Sequence, residues 1–476
     1  MPTDKKYVYF IGIAGRATSS IAHMFLELGY EVEGSDQNCF PPASTMLDDL
    51  GVSYHTPYDA DKITRKPDLV VIGGNALIVD PNNPEYLKLK HMGCRIVSFP
   101  EVISEFIVKE NSVVTVGTYG KTTTSALLSL VFQEAGLDPS FMIGGVPGNF
   151  TWGTRTASGN WSVVEGDEHP TLGFDMRPKF VHYKPKFVLL IATAWDHMNV
   201  YKTPESYVQV FEALAESLPT DGVLVISESG ENNSEVASNA TCEVLVYGQG
   251  KDCDFKISEI QYEQGKSKFK INGSEFESPL IGLHNVENVT GCFALANFCG
   301  VSNDDFQKAL TKFKGVTKRL ELIGDIGGVT FIDDFAPSGP RAKAAISALK
   351  MSFPTRRIIA VFDPHASSLR ERESLPMLAG AFDEADQVFI GQIPRQKGTG
   401  ENRVTGPDIL QAISATQKHV SYVPTDDHLI QALANSLRKN DVVLFMSSGS
   451  FREVPEKVMI QYKEKVQLMQ GQQNER

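Results

Sequence analysis

The sequence has few of the features that mark secreted, membrane-embedded or nucleic-acid-binding proteins. Its six cysteines are scattered through 476 residues without a C-x-x-C pair, which is typical of a reducing cytoplasm and not of a disulfide framework or a zinc site. No signal segment opens the chain, and apolar runs such as FVLLIATA at 187–194 are too short to span a bilayer. A formal net charge of −13 argues against general binding to nucleic acid or anionic membranes. We therefore expect a cytoplasmic protein without an anchor.

Short apolar runs instead alternate with amphipathic helical segments. Strand-like runs include YVYFIGI at 7–13, SVVTV at 112–116 and RRIIAVFD at 356–363. This alternation predicts parallel sheets with βαβ crossovers, and hence an α/β fold. The stretch 253–280 differs, because its apolar residues alternate and it contains the turn Asn272–Gly273, which predicts β-hairpins.

The order of these segments predicts three domains. The first is Rossmann-like, the second is a P-loop ATPase-type α/β domain whose hairpins form an antiparallel edge, and the third is again Rossmann-like. We expect them at residues 1–108, 109–317 and 318–476. Ligands of open α/β sheets bind beyond the carboxyl ends of the strands, so the residues that follow each strand are candidates for the functional site.

The segment GTYGKTTT at 117–124 follows a strand and opens a helix. A glycine-rich turn before a helix brings main-chain N–H groups and the helix dipole to a phosphate. In such loops the lysine reaches the β- and γ-phosphates and the following hydroxyl binds Mg²⁺. Thr115 occupies the place of the usual first glycine, so an ordinary βα turn is the alternative. The predicted ATP-binding residues of the loop are Gly117, Thr118, Gly120, Lys121, Thr122 and Thr123.

A second glycine turn, GIAGRATSS at 12–20, follows the first strand, and Asp36 ends the second strand. An acid at that position binds ribose in dinucleotide-binding domains. The full G-x-G-x-x-G pattern is absent, so a dinucleotide, another phosphate-bearing ligand and a simple tight turn all remain open.

Three further groups of polar segments lie where strands end or helices begin. The segments VVEGDEHPT and AWDHMN offer Glu165, Asp167, Glu168 and His197 as groups that bind Mg²⁺ or orient substrate. GLHNVENV offers His284, Asn285 and Asn288 as partners for a base, or simply as a helix cap. KRLE and DDFAPSGP offer Arg319 to neutralise a transferring phosphoryl group and Asp333 to bind a ribose.

Taken in this order, these segments resemble those of the ATP-dependent Mur ligase superfamily. GTYGKTTT is similar to the family's phosphate loop, and the H-N-x-x-N and DDFA segments are similar to its later motifs. The resemblance covers almost the whole chain. GSDQNCFPPASTMLDDLG, IGGVPGNF, FDMRPKFVHYKP and MSSGSF look like the murein peptide ligase branch.

The resemblance implies a cytoplasmic bacterial amide ligase of peptidoglycan recycling or biosynthesis, a monomer or weak homo-oligomer that uses ATP and Mg²⁺. It would join the lactyl carboxylate of UDP-N-acetylmuramate to the amine of L-Ala-γ-D-Glu-meso-diaminopimelate through an acyl phosphate. Lys121, Glu165, His197 and Arg319 would be catalytic, and Thr122, Glu165 and His197 would hold the metal. The implied UDP-sugar site consists of Gly12, Ala14, Gly15, Arg16, Ser35 and Asp36.

The chain departs from the family pattern at several positions. Ala192, Ala194 and Asn199 replace an asparagine, a glutamate and an aspartate around His197, and 337–339 lack the two histidines that follow DDFA. These departures leave open an L-alanine-adding or otherwise diverged Mur-type ligase, and a degenerate ligase that binds nucleotide without turnover. An NAD-dependent dehydrogenase would leave the phosphate loop and the third domain unexplained.

Overall fold

The computed structural model describes most of the chain. It covers residues 5–40, 43–73, 76–172, 174–197, 200–263, 266–365, 369, 372–393, 404–449 and 451–474, with the backbone alone at 16, 78 and 469–474. The described chain divides into two compact units. The first consists of residues up to 258, 270–276 and 287–316, and the second of 259–269, 277–286 and the residues from 317 onward.

The N-terminal part of the first unit is a five-stranded sheet in the order β3-β2-β1-β4-β5, with every pair parallel. Its strands are β1 (Tyr7–Ile11), β2 (Glu31–Ser35), β3 (Ser53–His55), β4 (Leu69–Ile72) and β5 (Ile96–Ser98). Its α-helices are α1 (Arg16–Glu27), α2 (Ala43–Asp49), α3 (Ala76–Val79), α4 (Pro84–His91) and α5 (Phe99–Phe106), with a 3₁₀ turn at Ala60–Lys62. This is the predicted Rossmann-like arrangement.

The first strand and helix show why these residues fold in this way. All five residues of β1 are buried, as expected of a parallel strand covered by helices on both faces. The buried residues Ile21, Met24 and Phe25 of α1 pack into the apolar core. The helix ends before Gly29, whose φ of +83° is the left-handed conformation that a helix terminus commonly takes.

The central sheet has ten strands in the order β17-β16-β15-β14-β13-β12-β6-β9-β7-β8. The strands from β6 to β11 are β6 (Asn111–Val116), β7 (Ser140–Met142), β8 (Thr154–Arg155), β9 (Trp161–Glu165), β10 (Pro170–Leu172) and β11 (Asp175–Pro178). Those that follow are β12 (Phe187–Leu190), β13 (Val223–Ser227), β14 (Glu243–Gly248), β15 (Phe255–Glu263), β16 (Lys266–Ile271) and β17 (Ser274–Ser278). β10 and β11 form a separate antiparallel pair.

The helices of this part are α6 (Lys121–Glu134), α7 (Pro204–Glu216), α8 (Asn233–Ala237), α9 (Leu283–Phe298) and α10 (Asn303–Lys312), with a 3₁₀ turn at Lys179–Tyr183. β6, β9, β12, β13 and β14 pair in parallel, which puts their carboxyl ends at one edge. The predicted hairpin region supplies the three consecutive strands β15–β17 at one end of the sheet.

The second unit is built on a six-stranded sheet in the order β18-β19-β23-β20-β21-β22, in which only β18 runs antiparallel to its neighbour among the described pairs. Its strands are β18 (Glu321–Ile326), β19 (Val329–Asp334), β20 (Arg357–Phe362), β21 (Gln387–Ile390), β22 (Val420–Tyr422) and β23 (Asp441–Met446). Its α-helices are α11 (Gly339–Ser352), α12 (Gly406–Ser414), α13 (Asp426–Ser436) and α14 (Val454–Asn474), with 3₁₀ turns at Arg372–Leu378 and Phe451–Glu453.

The N-terminal and central sheets share one apolar core. A continuous cluster of buried side chains includes Phe25 and Ile103 from the first sheet region and Val114 and Phe211 from the central one. This shared cluster explains why both regions form one compact unit, although the predicted boundary at 108 remains a prediction. In the part of the chain that the structure describes, no helix is both long and apolar enough to cross a membrane.

Candidate active site

The phosphate loop joins the end of β6 to the start of α6. Gly117 and Gly120 have φ angles of +123° and +82°, a range that side chains disfavour. A Cβ atom at Gly117 would lie 2.6 Å from the carbonyl oxygen of Ala192, and one at Gly120 would lie 2.7 Å from Oδ1 of Asn288. Both glycines are therefore required by conformation and by close approach. Thr115, by contrast, is a buried residue of β6.

The amino end of α6 places partial positive charge beside this loop. Gly120 is its N-cap, Lys121 is its first residue, and its first turn carries no acidic side chain. The first N–H groups of a helix lack partners within the helix, and the helix dipole adds partial positive charge there. Thr122 and Thr123 follow in the buried first turn. The main-chain N–H groups and the dipole of this helix start are by themselves suited to bind a phosphate group.

Thr118 ties this loop to the strand-end segment that carries His197. Its main-chain N–H donates to the carbonyl oxygen of Ala192 over 2.8 Å, and its hydroxyl donates to that of Ala194 over 2.6 Å. The two alanines that replace polar residues of the family pattern thus hold the loop through main-chain carbonyls. Because both acceptors are main-chain oxygens, any residue type at positions 192 and 194 would supply these two contacts.

Lys121 pairs with a buried carboxylate. Its Nζ lies 2.8 Å from Oε2 of Glu168, a side chain with no exposed surface, and also donates to the carbonyl oxygen of Gly117. Burial raises the pKa of the Glu168 carboxyl, but the Lys121 ammonium and the His197 imidazole outweigh burial and lower that pKa to about 2. Glu168 is therefore ionised at neutral pH. The sequence analysis singled out Glu168 without a defined partner, because the contact joins residues 47 positions apart.

Thr122 and Glu165 are two of the three residues predicted to bind the metal, with His197. The Thr122 hydroxyl donates to Oε1 of Glu165 over 2.9 Å, and the main-chain N–H of Gly144 donates to Oε2 over 2.7 Å. A hydroxyl and a carboxylate oxygen are the hard donors that Mg²⁺ prefers, and Mg²⁺ usually completes its shell with waters and substrate phosphates. These residues fit the metal in that role. Within the described residues, no group of three or more His, Cys, Asp or Glu side chains is arranged to hold a metal ion alone.

His197 contacts the same carboxylate as the loop lysine. Its Nε2 is 3.0 Å from Oε1 of Glu168, and its ring lies 3.8 Å, centroid to centroid, from that of His169. The main-chain φ of His197 is +57°, a left-handed conformation that costs a non-glycine residue about 1 kcal/mol. Asn199, the last of the departures around this histidine, lies outside the described residues.

The three polar residues predicted to bind the base lie in the first turns of α9. Asn288 contacts the phosphate loop, since its Oδ1 limits the space at Gly120. Asn285 donates through Nδ2 to the carbonyl oxygen of Ile281 over 2.9 Å, which ties this side chain to the residues just before its helix. Desolvation lowers the pKa of His284 to about 4, so its imidazole is neutral at pH 7.

The N-terminal glycine turn is closed by the predicted acid. Asp36 accepts a hydrogen bond of 2.9 Å from the main-chain N–H of Ala14, and burial raises its pKa. Gly12 has a φ of +87°, and a Cβ there would meet the carbonyl oxygen of Gly73 at 2.9 Å. Gly15 is the N-cap of α1. The structure thus brings Ala14 and Asp36 together, while the side chain of Arg16 lies outside the described residues.

Ser35 has a partner that the sequence analysis missed. Its hydroxyl donates to Oε2 of Glu85, a fully buried carboxylate on α4. Glu85 also accepts hydrogen bonds from the hydroxyl of Tyr9 and from the main-chain N–H of Asp59. Its Oε1 lies 2.8 Å from Nε2 of His55. The surrounding sequence PEYLKLKH is typical of an exposed helix, so it did not indicate that Glu85 is buried. Glu85 positions the end of β2, where the predicted UDP-sugar site lies.

Arg319 and Asp333 belong to the second unit. Asp333 pairs with Lys318 over 3.2 Å, and Arg319 donates to the carbonyl oxygen of Phe335 over 3.3 Å. Neighbouring Asp334 accepts from the main-chain N–H of Leu320, and burial raises its pKa to about 6. Lys318 and Asp334 are thus additional charged residues at this strand end. The catalytic and binding roles assigned to all of these residues remain predictions.

Family models match most of the chain. The model described as the Mur ligase family catalytic domain matches residues 7–110, the Mur ligase middle domain matches 114–296, and the glutamate ligase domain of Mur ligases matches 318–449. The first match extends past the predicted boundary at 108 to residue 110, and the bounds of the three domains remain predictions.

Individual relatives agree with these models. The chain is 30% identical over 462 residues to the UDP-N-acetylmuramate–L-alanyl-γ-D-glutamyl-meso-2,6-diaminoheptandioate ligase of Escherichia coli, covering 95% of this chain and 97% of the relative. It is also 30% identical over 464 residues to the UDP-N-acetylmuramate–L-alanine ligase of Caldanaerobacter subterraneus, with the same coverage.

A solved structure shares the fold. The UDP-N-acetylmuramate–alanine ligase of Thermotoga maritima superposes with a TM-score of 0.77 at 22% identity, over 96% of this chain and 99% of that one. Mur ligases use ATP and Mg²⁺, in agreement with the predicted cofactors. The chain therefore belongs to the Mur ligase family, whose members are ATP-dependent ligases that form amide bonds.

Proposed function

We propose that this chain joins the lactyl carboxylate of UDP-N-acetylmuramate to the amine of the peptide L-Ala-γ-D-Glu-meso-diaminopimelate. The observation that carries the proposal is the assembled phosphate site, in which Lys121 lies at the start of α6 and Thr122 contacts Glu165. The 30% identical Escherichia coli relative is named for this amine substrate. The segment KFVHYKP, which resembles the same branch, contains the 3₁₀ turn Lys179–Tyr183, whose Phe180 and Tyr183 lie in the core.

The proposed division of labour follows the three sheets. The turn at Gly12–Gly15 and the strand end at Ser35–Asp36 would bind UDP-N-acetylmuramate. The loop at 117–123 and the amides of α9 would hold ATP, with Thr122, Glu165 and His197 at the metal. Arg319 and Asp333 would meet the nucleotide, and the C-terminal sheet would receive the amine.

The chemistry activates a carboxylate, which is a poor acyl donor at neutral pH. A lactyl carboxylate oxygen attacks the γ-phosphorus of ATP, the bond to the β,γ-bridging oxygen breaks, and ADP leaves. The amine nitrogen then attacks the carbonyl carbon of the acyl phosphate, a tetrahedral intermediate forms, and inorganic phosphate departs as the nitrogen loses its proton. Bound Mg²⁺ would supply charge neutralisation for the phosphates.

The protein's own contribution to the first step is positioning and charge. Lys121 places an ammonium group at the phosphate loop, and the N–H groups at the start of α6 add donors that need no reorganisation. Phosphoryl transfer spreads negative charge over the transferred oxygens, so these groups bind the transition state more strongly than the ground state. Exclusion of water would protect the acyl phosphate from hydrolysis.

A second candidate is ligation of L-alanine to the same nucleotide sugar. The Caldanaerobacter relative named for that reaction is also 30% identical to this chain. The Thermotoga enzyme named for the same reaction shares the fold, with a TM-score of 0.77. A third candidate is a nucleotide-binding ligase without turnover, which the loss of the polar side chains at 192 and 194 favours. The main-chain carbonyls at those two positions still bind Thr118, which argues for an intact loop.

We also propose that the reaction takes place in the bacterial cytoplasm, in a monomer or weak homo-oligomer. The six cysteines are free in the structure, which supports a reducing compartment.

The proposal is tested by product identification. The purified chain is incubated with ATP, Mg²⁺ and UDP-N-acetylmuramate together with the tripeptide, L-alanine or other amines, and the nucleotide sugar is analysed by mass spectrometry. A peptide-linked product with equal amounts of ADP and phosphate supports the proposal. An alanine-linked product alone establishes the second candidate, and ATP binding without any product establishes the third.

A further inference from the structure

We propose that Glu168 is a positioning residue that holds Lys121 at the phosphate loop and fixes the tautomer of His197. The expected effect on kcat rests on the proposed function, whereas the expected tautomer of His197 does not. Glu168 follows β9 by three residues and its side chain has no exposed surface, so it does not reach substrate itself. It acts through the two groups that it binds.

The first group is the loop lysine. Both carboxylate oxygens of Glu168 lie within hydrogen-bond distance of Lys121 Nζ, at 2.8 Å and 3.2 Å. A buried carboxylate that loses its cation is strongly destabilised, and so is a buried ammonium that loses its anion. The pair therefore holds Lys121 in one orientation over the loop before nucleotide binds. Incoming phosphates meet an ammonium group that is already in place.

The second group is His197, in the segment that follows β12. Nε2 of His197 lies 3.0 Å from Oε1 of Glu168. An ionised carboxylate only accepts hydrogen bonds, so Nε2 must carry a hydrogen, and of the two neutral tautomers the contact selects the one with the lone pair on Nδ1. Carboxylates commonly fix the tautomer of functional histidines in this way. The left-handed backbone of His197 is consistent with a side chain held in place by such a contact.

A third contact fixes the carboxylate itself. The hydroxyl of Tyr207, on α7, donates to Oε1 of Glu168 over 3.2 Å and lies 3.1 Å from the hydroxyl of Thr118. The hydroxyl of Tyr201 donates to the main-chain oxygen of Glu168. Glu168 thereby connects the phosphate loop, the histidine segment and α7 through one buried group. A shift of this carboxylate would move Lys121 and His197 together.

The test compares Glu168→Gln, Glu168→Asp and Glu168→Ala with the wild type. Glu168→Gln keeps the shape and removes the charge, whereas Glu168→Asp keeps the charge and withdraws it by one methylene. Asp441→Asn is the matched control, because Asp441 is a buried carboxylate in an ion pair with Arg357 and starts a strand of the other unit. Thermal unfolding and ADP binding first establish that each variant is folded.

The structural readout is the ¹⁵N spectrum of the histidine side chains without nucleotide, with His197 assigned from the His197→Gln variant. We expect the Nε2–H tautomer in the wild type and in Asp441→Asn, and its loss in Glu168→Ala. A wild-type His197 in the Nδ1–H form, or a signal unchanged in Glu168→Ala, would overturn the proposal. This readout needs no turnover, so it remains decisive if the proposed reaction is wrong.

The kinetic readout separates positioning from substrate binding. We expect Glu168→Gln to lower kcat by about 10- to 100-fold, the usual effect of losing such a supporting contact, with the KM for ATP changed less than threefold. Glu168→Asp should recover part of kcat, and Asp441→Asn should retain it. Equal kcat values in Glu168→Gln and the wild type would refute the role toward Lys121. Absence of turnover in the wild type would instead contradict the proposed function.

Discussion

The hydroxyl of Thr122, in the first turn of α6, donates a 2.9 Å hydrogen bond to Oε1 of Glu165, at the end of β9 and 43 positions further along the chain. The second oxygen of the same carboxylate accepts from the main-chain N–H of Gly144. A residue of the phosphate loop and a strand-end acid are thus paired. They present oxygen donors of the kind that Mg²⁺ binds.

Thr122→Val should remove the magnesium dependence of nucleotide binding. Valine keeps the shape of threonine and deletes the hydroxyl, so we expect ADP affinity in the presence of Mg²⁺ to fall about 10- to 100-fold, with a smaller change in the presence of EDTA. Thr122→Ser keeps the hydroxyl and should bind ADP within threefold of the wild type. Calorimetric titration with and without Mg²⁺ measures both. Equal magnesium dependence in Thr122→Val and the wild type would exclude Thr122 from the metal site.

Gly120→Ala should damage the loop more than an equivalent change at the other end of the same helix. Gly120 and Gly136 both have positive φ angles, +82° and +77°, but a Cβ at Gly120 would meet Asn288 at 2.7 Å, whereas one at Gly136 would meet nothing within 4 Å. We expect Gly136→Ala to cost about 1 kcal/mol of unfolding free energy from backbone strain alone. Gly120→Ala should cost about 1–3 kcal/mol more from overpacking.

Urea denaturation followed by circular dichroism measures this difference, and ADP binding measures its functional effect. Only Gly120→Ala should weaken ADP binding. If the two variants were equally stable and bound ADP equally well, the close approach of Asn288 to the loop would not be a feature of the protein in solution.

The phosphate loop illustrates what the sequence predicts well. A buried strand, a glycine turn and a helix are adjacent in the chain, so local patterns were enough to predict β6, the loop at 117–120 and α6, and the structure confirms all three. The same holds for the turn after β1 and the acid at the end of β2. The family matches and the structure likewise confirm the predicted α/β fold.

Contacts between distant segments were harder to predict. The partners of Glu168 come from the loop, from α7 and from the segment after β12, and no local pattern specifies how those segments approach one another. Glu85 was missed because its helix has the composition of a surface helix, although Ser35, Tyr9 and His55 surround it. The three-residue strand β22 is too short for periodicity to reveal.

Asp334 should make stability depend on pH. Burial raises its pKa to about 6 in the folded chain, against about 3.9 for an unfolded aspartate. The folded state therefore binds this proton more tightly, so the contribution to stability is complete below about pH 4 and is lost as pH rises through about 6. Relative to the wild type, Asp334→Asn should gain about 2–3 kcal/mol of unfolding free energy between pH 4 and pH 7.

Urea denaturation at a series of pH values measures this difference for Asp334→Asn, with Asp383→Asn as a control for the loss of an exposed carboxylate. A difference between Asp334→Asn and the wild type that stays constant, or that shrinks as pH rises, would contradict the assignment of a buried, proton-retaining carboxyl to Asp334.

The most direct test of the proposed function is the ratio of kcat/KM for the tripeptide L-Ala-γ-D-Glu-meso-diaminopimelate to kcat/KM for L-alanine, measured as ADP formation with UDP-N-acetylmuramate, ATP and Mg²⁺. We expect the ratio to exceed about 100, because burial of a tripeptide offers several kcal/mol of transition-state binding that a single alanine lacks. Lys121→Ala should abolish ADP formation with either amine. A ratio below one, or full turnover by Lys121→Ala, would contradict the account.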